Sequence, residues 1–366
     1  MTGRRGRVVL CALIALLVPA PIAIAQSAPG AARPSSAPGV SAVEAILVNS
    51  TEDNAVLFTR QATVPRAPAS LTKIVTALVA RDEYALDEVV TITPLVLQTG
   101  GSDLGLEPGM TITVRELLYA LLLKSANDAA MALAAHDPSG YEHFVQLMNQ
   151  KARSLGAYAS DFRNPHGLDQ IGHVSSARDM AIFTREMLRD RVLTGIAGTR
   201  RRTMTWKGRA RWYDHHHKLV LRNDAIVFGK TAFTNNAGHA LMTVADTPAG
   251  RLIAVVMGSA DQYADTLSMI EYGKSVSARQ ASGGGPVRGF GQLAVPPEPP
   301  DEQLAAPVSP SSSDPRDDMR WSILMLVLTG LTAYLLVASR RRTPKLATGG
   351  INAWLASLQA DIDRRR

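Results

Sequence analysis

Residues 68–73 read Pro68-Ala69-Ser70-Leu71-Thr72-Lys73, and the run Ile74-Val75-Thr76-Ala77-Leu78-Val79-Ala80 follows without a break. This pattern predicts a helix that starts near Ser70 and runs through Ala80. In such a helix Ser70 and Lys73 share one face and lie within reach of each other. The helix start adds backbone N–H groups and the positive end of the dipole, where an oxyanion can be held. A serine hydroxyl is a poor nucleophile until a base takes its proton, and a lysine desolvated beside a second cation can act as that base. Alone, a Ser-x-x-Lys match says little, because chance supplies many.

Working outward, Ser125-Ala126-Asn127 falls in a short gap between helices read at about 114–123 and 128–135. Taken alone, this tripeptide reads as helix capping. Further on, Lys230-Thr231-Ala232-Phe233-Thr234 precedes an apolar strand at 240–244 and by itself reads as an edge strand with solvated side chains. The order Ser-x-x-Lys, Ser-x-Asn, Lys-Thr-small changes that reading. It resembles the signature of the active-site serine penicillin-recognising enzymes. Stretches 45–49, 67–80, 99–102, 113–135, 162–169, 175–187 and 229–258 are similar to one branch of them, the low-molecular-weight D-alanyl-D-alanine carboxypeptidases. The likeness covers nearly all of 42–275.

The resemblance implies a serine D-Ala–D-Ala carboxypeptidase acting on peptidoglycan stem peptides, with β-lactams as covalent inhibitors and no metal or organic cofactor. It implies Ser70 as nucleophile, Lys73 as its base, and Ser125 as proton shuttle to the departing D-Ala amine. Asn127 would orient Lys73 and hold the substrate amide. Lys230 would supply positive potential, and Thr231 with Thr234 would bind the terminal carboxylate. The backbone N–H groups of Ser70 and Phe233 would form the oxyanion hole. Two departures stand out: Ala232 replaces the usual glycine of Lys-Thr-Gly, and 259–265 lacks the arginine that assists with the carboxylate in many relatives. The C-terminal β-domain of some carboxypeptidases is also missing, a linker following directly. An impaired penicillin-binding or wall-binding scaffold, disabled at Ala232, is therefore the alternative. A β-lactamase is disfavoured, since Asn164-Pro165-His166-Gly167-Leu168 follows the carboxypeptidase pattern and no convincing Glu-x-x-x-Asn segment is found.

For the fold, strands at 44–48 and 55–58 flank a polar turn, a further strand lies at 252–257, and a helix is read around 266–272. These elements predict an α/β (α+β) domain of the β-lactamase/DD-peptidase type. Its antiparallel sheet is flanked by helices, the first and last strands meet, and a helical lobe comes from the middle. The organisation reads as a signal peptide at 1–25, a flexible segment at 26–39 and the catalytic domain at 40–280. A Pro/Ser/Gly-rich linker (281–318), a transmembrane helix (321–339) and a basic cytoplasmic tail (340–366) follow. Nineteen apolar residues rise ~28 Å against a ~30 Å hydrocarbon core. Arg340, Arg341 and Arg342 place the tail inside and the catalytic domain outside. The net charge of +7 is no nucleic-acid signal, since residues 26–320 carry 29 basic against 30 acidic side chains. The single cysteine, Cys11, lies within the leader, which leaves no thiol chemistry to the mature chain. His215-His216-His217 could ligate a metal but sits in a polar stretch. Arg200, Arg201, Arg202, Lys207, Arg209 and Arg211 read as a solvated basic face, with anionic wall polymers or lipid as the alternative partner.

Overall fold

The computed structural model describes residues 37–51, 55–206, 209–248, 250–281 and 288–289. The leader, the linker beyond Ala281 apart from 288–289, the predicted transmembrane helix and the tail lie outside them. No helix among the described residues is long and apolar enough to cross a membrane.

The chain opens with a hairpin, β1 (Glu44–Asn49) and β2 (Ala55–Arg60), then enters the long helix α1 (Thr72–Glu83). A small hairpin, β3 (Val89–Thr91) and β4 (Thr111–Thr113), leads into α2 (Val114–Tyr119), α3 (Asn127–Ala135), α4 (Tyr141–Ser154), α5 (Ala177–Met187) and α6 (Arg191–Ala197). A second hairpin, β5 (Arg201–Trp206) and β6 (Arg209–Asp214), and the short α7 (Lys218–Arg222) return the chain to the sheet. There β7 (Ile226–Thr234), β8 (Gly238–Thr247) and β9 (Gly250–Ser259) form a meander, followed by α8 (Gln262–Ala281) and the two-residue β10 (Arg288–Gly289). The sheet runs β10-β2-β1-β9-β8-β7 with antiparallel pairs throughout. As expected, the first and last long strands meet, Glu44 facing Met257 and Asn49 facing Leu252.

Side chains alternate across a strand, and this alternation sorts the sheet into two cores. Ile46, Val48, Met242, Val244, Ile253 and Val255 face the large core beneath α1 and the helical lobe. Ala45, Leu47, Leu241, Leu252, Ala254 and Val256 face the smaller one beneath α8. Gly273 lets α8 lie close, because a Cβ there would come within 2.8–2.9 Å of Leu252 and Leu47. Helix α1 is buried at every position from Thr72 to Ala80, which marks it as the central helix of the molecule.

Three details differ from the expected elements. The turn holding Ser70 (Ala69–Leu71) is a tight 3-10 turn, with α1 beginning only at Thr72. The predicted 114–123 helix ends at Tyr119 and opens into a wide π turn, Ala120–Lys124, which delivers Ser125 in the left-handed conformation at φ 62°. Helix α8 is far longer than 266–272, because one stripe of it stays apolar against the sheet to Val276.

Glu44 is buried at the start of β1, with the Arg66 guanidinium 3.9 Å away and the Ala177 N–H at 3.4 Å. Burial pushes its carboxyl up to about 7, although Arg66 and the Ala177 N–H pull the other way. A folded pKa raised above the unfolded one gives a contribution that is full below pH ~4.5 and lost as pH rises through ~7. Relative to Glu44→Gln, the wild type should lose ~2 kcal/mol between pH 4.5 and 8, discounted for the solvent that reaches Arg66. Melting both proteins across that range checks this, and an unchanging gap between them would refute it.

Candidate active site

Lys73 is fully buried, and its Nζ meets three oxygens: Ser70 Oγ at 3.0 Å, Asn127 Oδ1 at 2.6 Å and the His166 carbonyl at 2.5 Å. Burial, and then the charge of Lys230, hold its pKa well below the ordinary lysine range, with Asp128 opposing them. The second pair is built on β7. Lys230 is 2 % exposed, and its Nζ donates to Ser125 Oγ at 2.7 Å and to the Thr231 carbonyl at 2.8 Å. Burial brings its pKa down to about 7.

The supports of this constellation come from three loops. Asn127 opens α3 and caps nothing: its Oδ1 faces Lys73, its Nδ2 donates to the Gly100 carbonyl at 2.5 Å, and its N–H bonds the Ser102 carbonyl. Neither Ser125 nor Asn127 is the N-cap of α3, whose cap position is Ala126 with no side-chain bond. Asp128, which sequence reasoning passed over, accepts the N–H groups of Leu104, Gly105 and Leu106 at 2.9–3.0 Å and so fixes the 99–106 loop. In the third loop Asn164 Oδ1 accepts the Gly167 N–H, Thr76 donates to the Pro165 carbonyl, and Thr72 bonds His173 Nε2. Burial first and Lys73 second push His166 down to about 3, so it is neutral, with Nδ1 accepting the Leu168 N–H.

Strand β7 carries the remaining expected residues. It is the sheet edge, yet Lys230 is not solvated, because that face of β7 packs on the turn holding Ser70. Thr231 is half-buried, and Phe233 is 54 % exposed with its ring 4.6 Å from that of His239. Thr234 Oγ1 donates to Asp169 Oδ1 and accepts the Ala237 N–H. Ala232 shares the buried face with Lys230 and Phe228, and its methyl joins the large core. An added methyl in a close-packed contact costs ~1–3 kcal/mol when neighbours cannot part. Ala232→Gly should therefore speed acylation about five- to tenfold or more, at ~1.4 kcal/mol per tenfold. A clear fall in the penicillin acylation rate would show that the methyl is adapted to this site.

The polar-stretch reading of the histidine run is corrected. His215 and His217 are buried, with His215 Nε2 donating to the Ala197 carbonyl, its Nδ1 accepting the His217 N–H, and His217 Nε2 bonded to Thr243 Oγ1. Burial, with other cations or rings second, lowers them to about 4 and about 3. A Cβ on Gly229 would meet the His217 ring at 2.4 Å, so that ring lies directly under the backbone preceding Lys230. No metal-ligating group of three occurs among the described residues. Three arginines of the basic face are paired: Arg200 with Asp224, Arg201 with Asp214, and Arg202 with Glu116 over the Tyr119 ring.

A serine bonded to a buried lysine, beside a second serine–lysine pair, is the arrangement of a serine acyl-transfer site. The chain belongs to the D-alanyl-D-alanine carboxypeptidase family, peptidase family S11, which it matches over residues 31–261. It is 32 % identical over 226 residues to D-alanyl-D-alanine carboxypeptidase DacF of Bacillus subtilis, covering 59 % of this chain and 58 % of that one. To DacA of Escherichia coli it is 35 % identical over 236 residues, covering 60 % and 58 %. The chain thus spans under two thirds of these relatives' length. The fold is similar to the crystal structure of a D-alanyl-D-alanine carboxypeptidase from Mycobacterium tuberculosis, with TM-score 0.63 and 29 % identity over 67 % of this chain and 95 % of that one.

Proposed function

We propose that this protein is a membrane-anchored, extracytoplasmic serine D-Ala–D-Ala carboxypeptidase that removes the terminal D-Ala from peptidoglycan stem pentapeptides. The observation that carries the reading is the environment of Lys73. A neutral amine has two N–H groups and one lone pair. Asn127 Oδ1 and the His166 carbonyl accept only, so they take the two N–H groups and turn the lone pair toward Ser70. Ser70 Oγ gives its proton to Lys73 and attacks the carbonyl carbon of the penultimate D-Ala, with the Ser70 and Phe233 N–H groups holding the oxyanion. Ser125 accepts from Lys230, which frees its own proton for the departing amine, and the proton that Lys73 took from Ser70 replaces it. The C–N bond breaks, D-Ala leaves, and water cleaves the acyl-Ser70 ester. Asn127 Nδ2 retains a second N–H for the substrate carbonyl, and Thr231 and Thr234 serve the terminal carboxylate. Burial of Ala232 favours a second reading, an impaired penicillin- or wall-binding scaffold.

Incubating the full chain in detergent with benzylpenicillin should give one adduct mapping to the peptide that contains Ser70. Incubation with a pentapeptide should release one D-Ala. An adduct without D-Ala release selects the scaffold, and an adduct elsewhere sinks the assignment. The anchor is tested separately: a cytoplasm-dependent reporter fused after Arg366 should be active while external protease cuts the 281–318 linker.

A further inference from the structure

The hydroxyl assigned to the substrate carboxylate is already engaged. Thr234 Oγ1 donates to Asp169 Oδ1 at 2.7 Å while accepting the Ala237 N–H at 3.0 Å. A threonine hydroxyl has a single hydrogen. Thr234 therefore cannot donate to an incoming carboxylate until Asp169 releases it. Asp169 itself is exposed, whereas the residues just before it are held: His166 through its carbonyl on Lys73, Gly167 through Asn164. The aspartate thus sits at the outer end of a fixed loop and is held against β7 by its bond to Thr234. Its negative charge stands where a second carboxylate must arrive, and like charges brought together disfavour binding.

We propose that Asp169 is a specificity-determining residue of the carboxylate subsite: an internal carboxylate that occupies Thr234 and is displaced by ligands ending in a carboxylate. The inference rests on the carboxypeptidase reading of the same cleft. Binding becomes an exchange of one carboxylate for another on the same hydroxyl. Its net gain is smaller than that of an open site, and the subsite discriminates against ligands whose carboxylate is poorly placed.

The test compares acylation of the full-length protein by benzylpenicillin and by its methyl ester, which lacks the free carboxylate, in wild type, Asp169→Ala and Asp169→Asn. Melting temperatures of all three check the fold. Asp169→Ala should react about five- to tenfold faster with benzylpenicillin, the scale of one partly screened charge-assisted hydrogen bond. The methyl ester should change less than about twofold on the same reasoning. Asp169→Asn, which keeps the acceptor oxygen and loses the charge, should fall between, and Thr234→Val should abolish the gain from Asp169→Ala. Unchanged benzylpenicillin rates, equal changes with both compounds, or slower reaction in a normally melting variant would overturn the proposal. A wild type that neither compound acylates would instead remove the carboxypeptidase reading, and this inference with it.

Discussion

Replacing Lys73 by methionine is expected to slow acylation of Ser70 by benzylpenicillin roughly a thousandfold or more, the upper range for loss of a positioned base. Methionine is close in length and suits a buried site, so folding should survive while the lone pair facing Ser70 Oγ is lost. The pH profile of the wild type is the companion measurement. Acylation needs Lys73 neutral, and burial and Lys230 lower its pKa. The rate should therefore rise on an acid limb well below the free-lysine value of ~10.4. Lys230 supplies positive potential only while it is protonated, and burial brings its pKa down to about 7, so a falling alkaline limb should follow. Both limbs belong to the interacting pair rather than to either amine. An acid limb near the free-lysine value, or a Lys73→Met variant of near-normal rate, would contradict the scheme.

Gly167→Ala should be the most damaging substitution outside the titrating groups. Gly167 has φ +87°, and a Cβ there would lie 1.9 Å from the Ala69 carbonyl oxygen and 2.9 Å from Thr72 Oγ1. Ala69 itself has φ +47° and immediately precedes Ser70, so no slack is available on either side of the contact. The loop must lift or the turn holding Ser70 must shift. Together with ~1–2 kcal/mol for alanine in the left-handed region, a loss of ~3–5 kcal/mol follows. For a body of this size that is a fall of about 10 °C in melting temperature. Acylation should fall as well, because the same loop supplies the His166 carbonyl to Lys73. Gly156→Ala is the control: φ is +73° but nothing lies within 4 Å, so the backbone penalty acts alone. Equal melting of the two variants would show that the Ala69 contact relaxes freely.

The Ser70, Ser125 and Lys230 motifs were legible through their order along the chain, since each spacing is local and each motif alone reads as chance, helix capping or an edge strand. The pairing of the outer strands followed from apolar runs at the two ends of the body. What escaped was tertiary. Asp128 looks like a helix-start acid, yet it holds three N–H groups of a loop more than twenty residues earlier. His215 and His217 stand among arginines in sequence, and only the return of the chain from β6 into the sheet buries them against Thr243 and Gly229. The glycine of Asn-Pro-His-Gly-Leu marks a turn in any reading, but its clash partner lies about a hundred residues away at Ala69. The π turn before Ser125 is invisible to a 3.6-residue period, since it departs from that period.

The antiparallel pairing of β1 with β9 also governs how the protein comes into being. Glu44 cannot find Met257 until more than two hundred residues have followed it. At ~5–20 residues per second of synthesis the first strand waits roughly 10–40 s for its partner. During that interval Ala45-Ile46-Leu47-Val48, buried on both faces in the finished molecule, offers an unpaired and sticky edge to any neighbouring strand. Such distant pairing slows folding relative to a helical bundle of equal length. A nascent chain released before β9 emerges has no closed sheet and no stable intermediate core on the α8 side. Completion of the sheet in this protein therefore waits on its last long strands, and a holding factor that shields β1 until then should raise its yield.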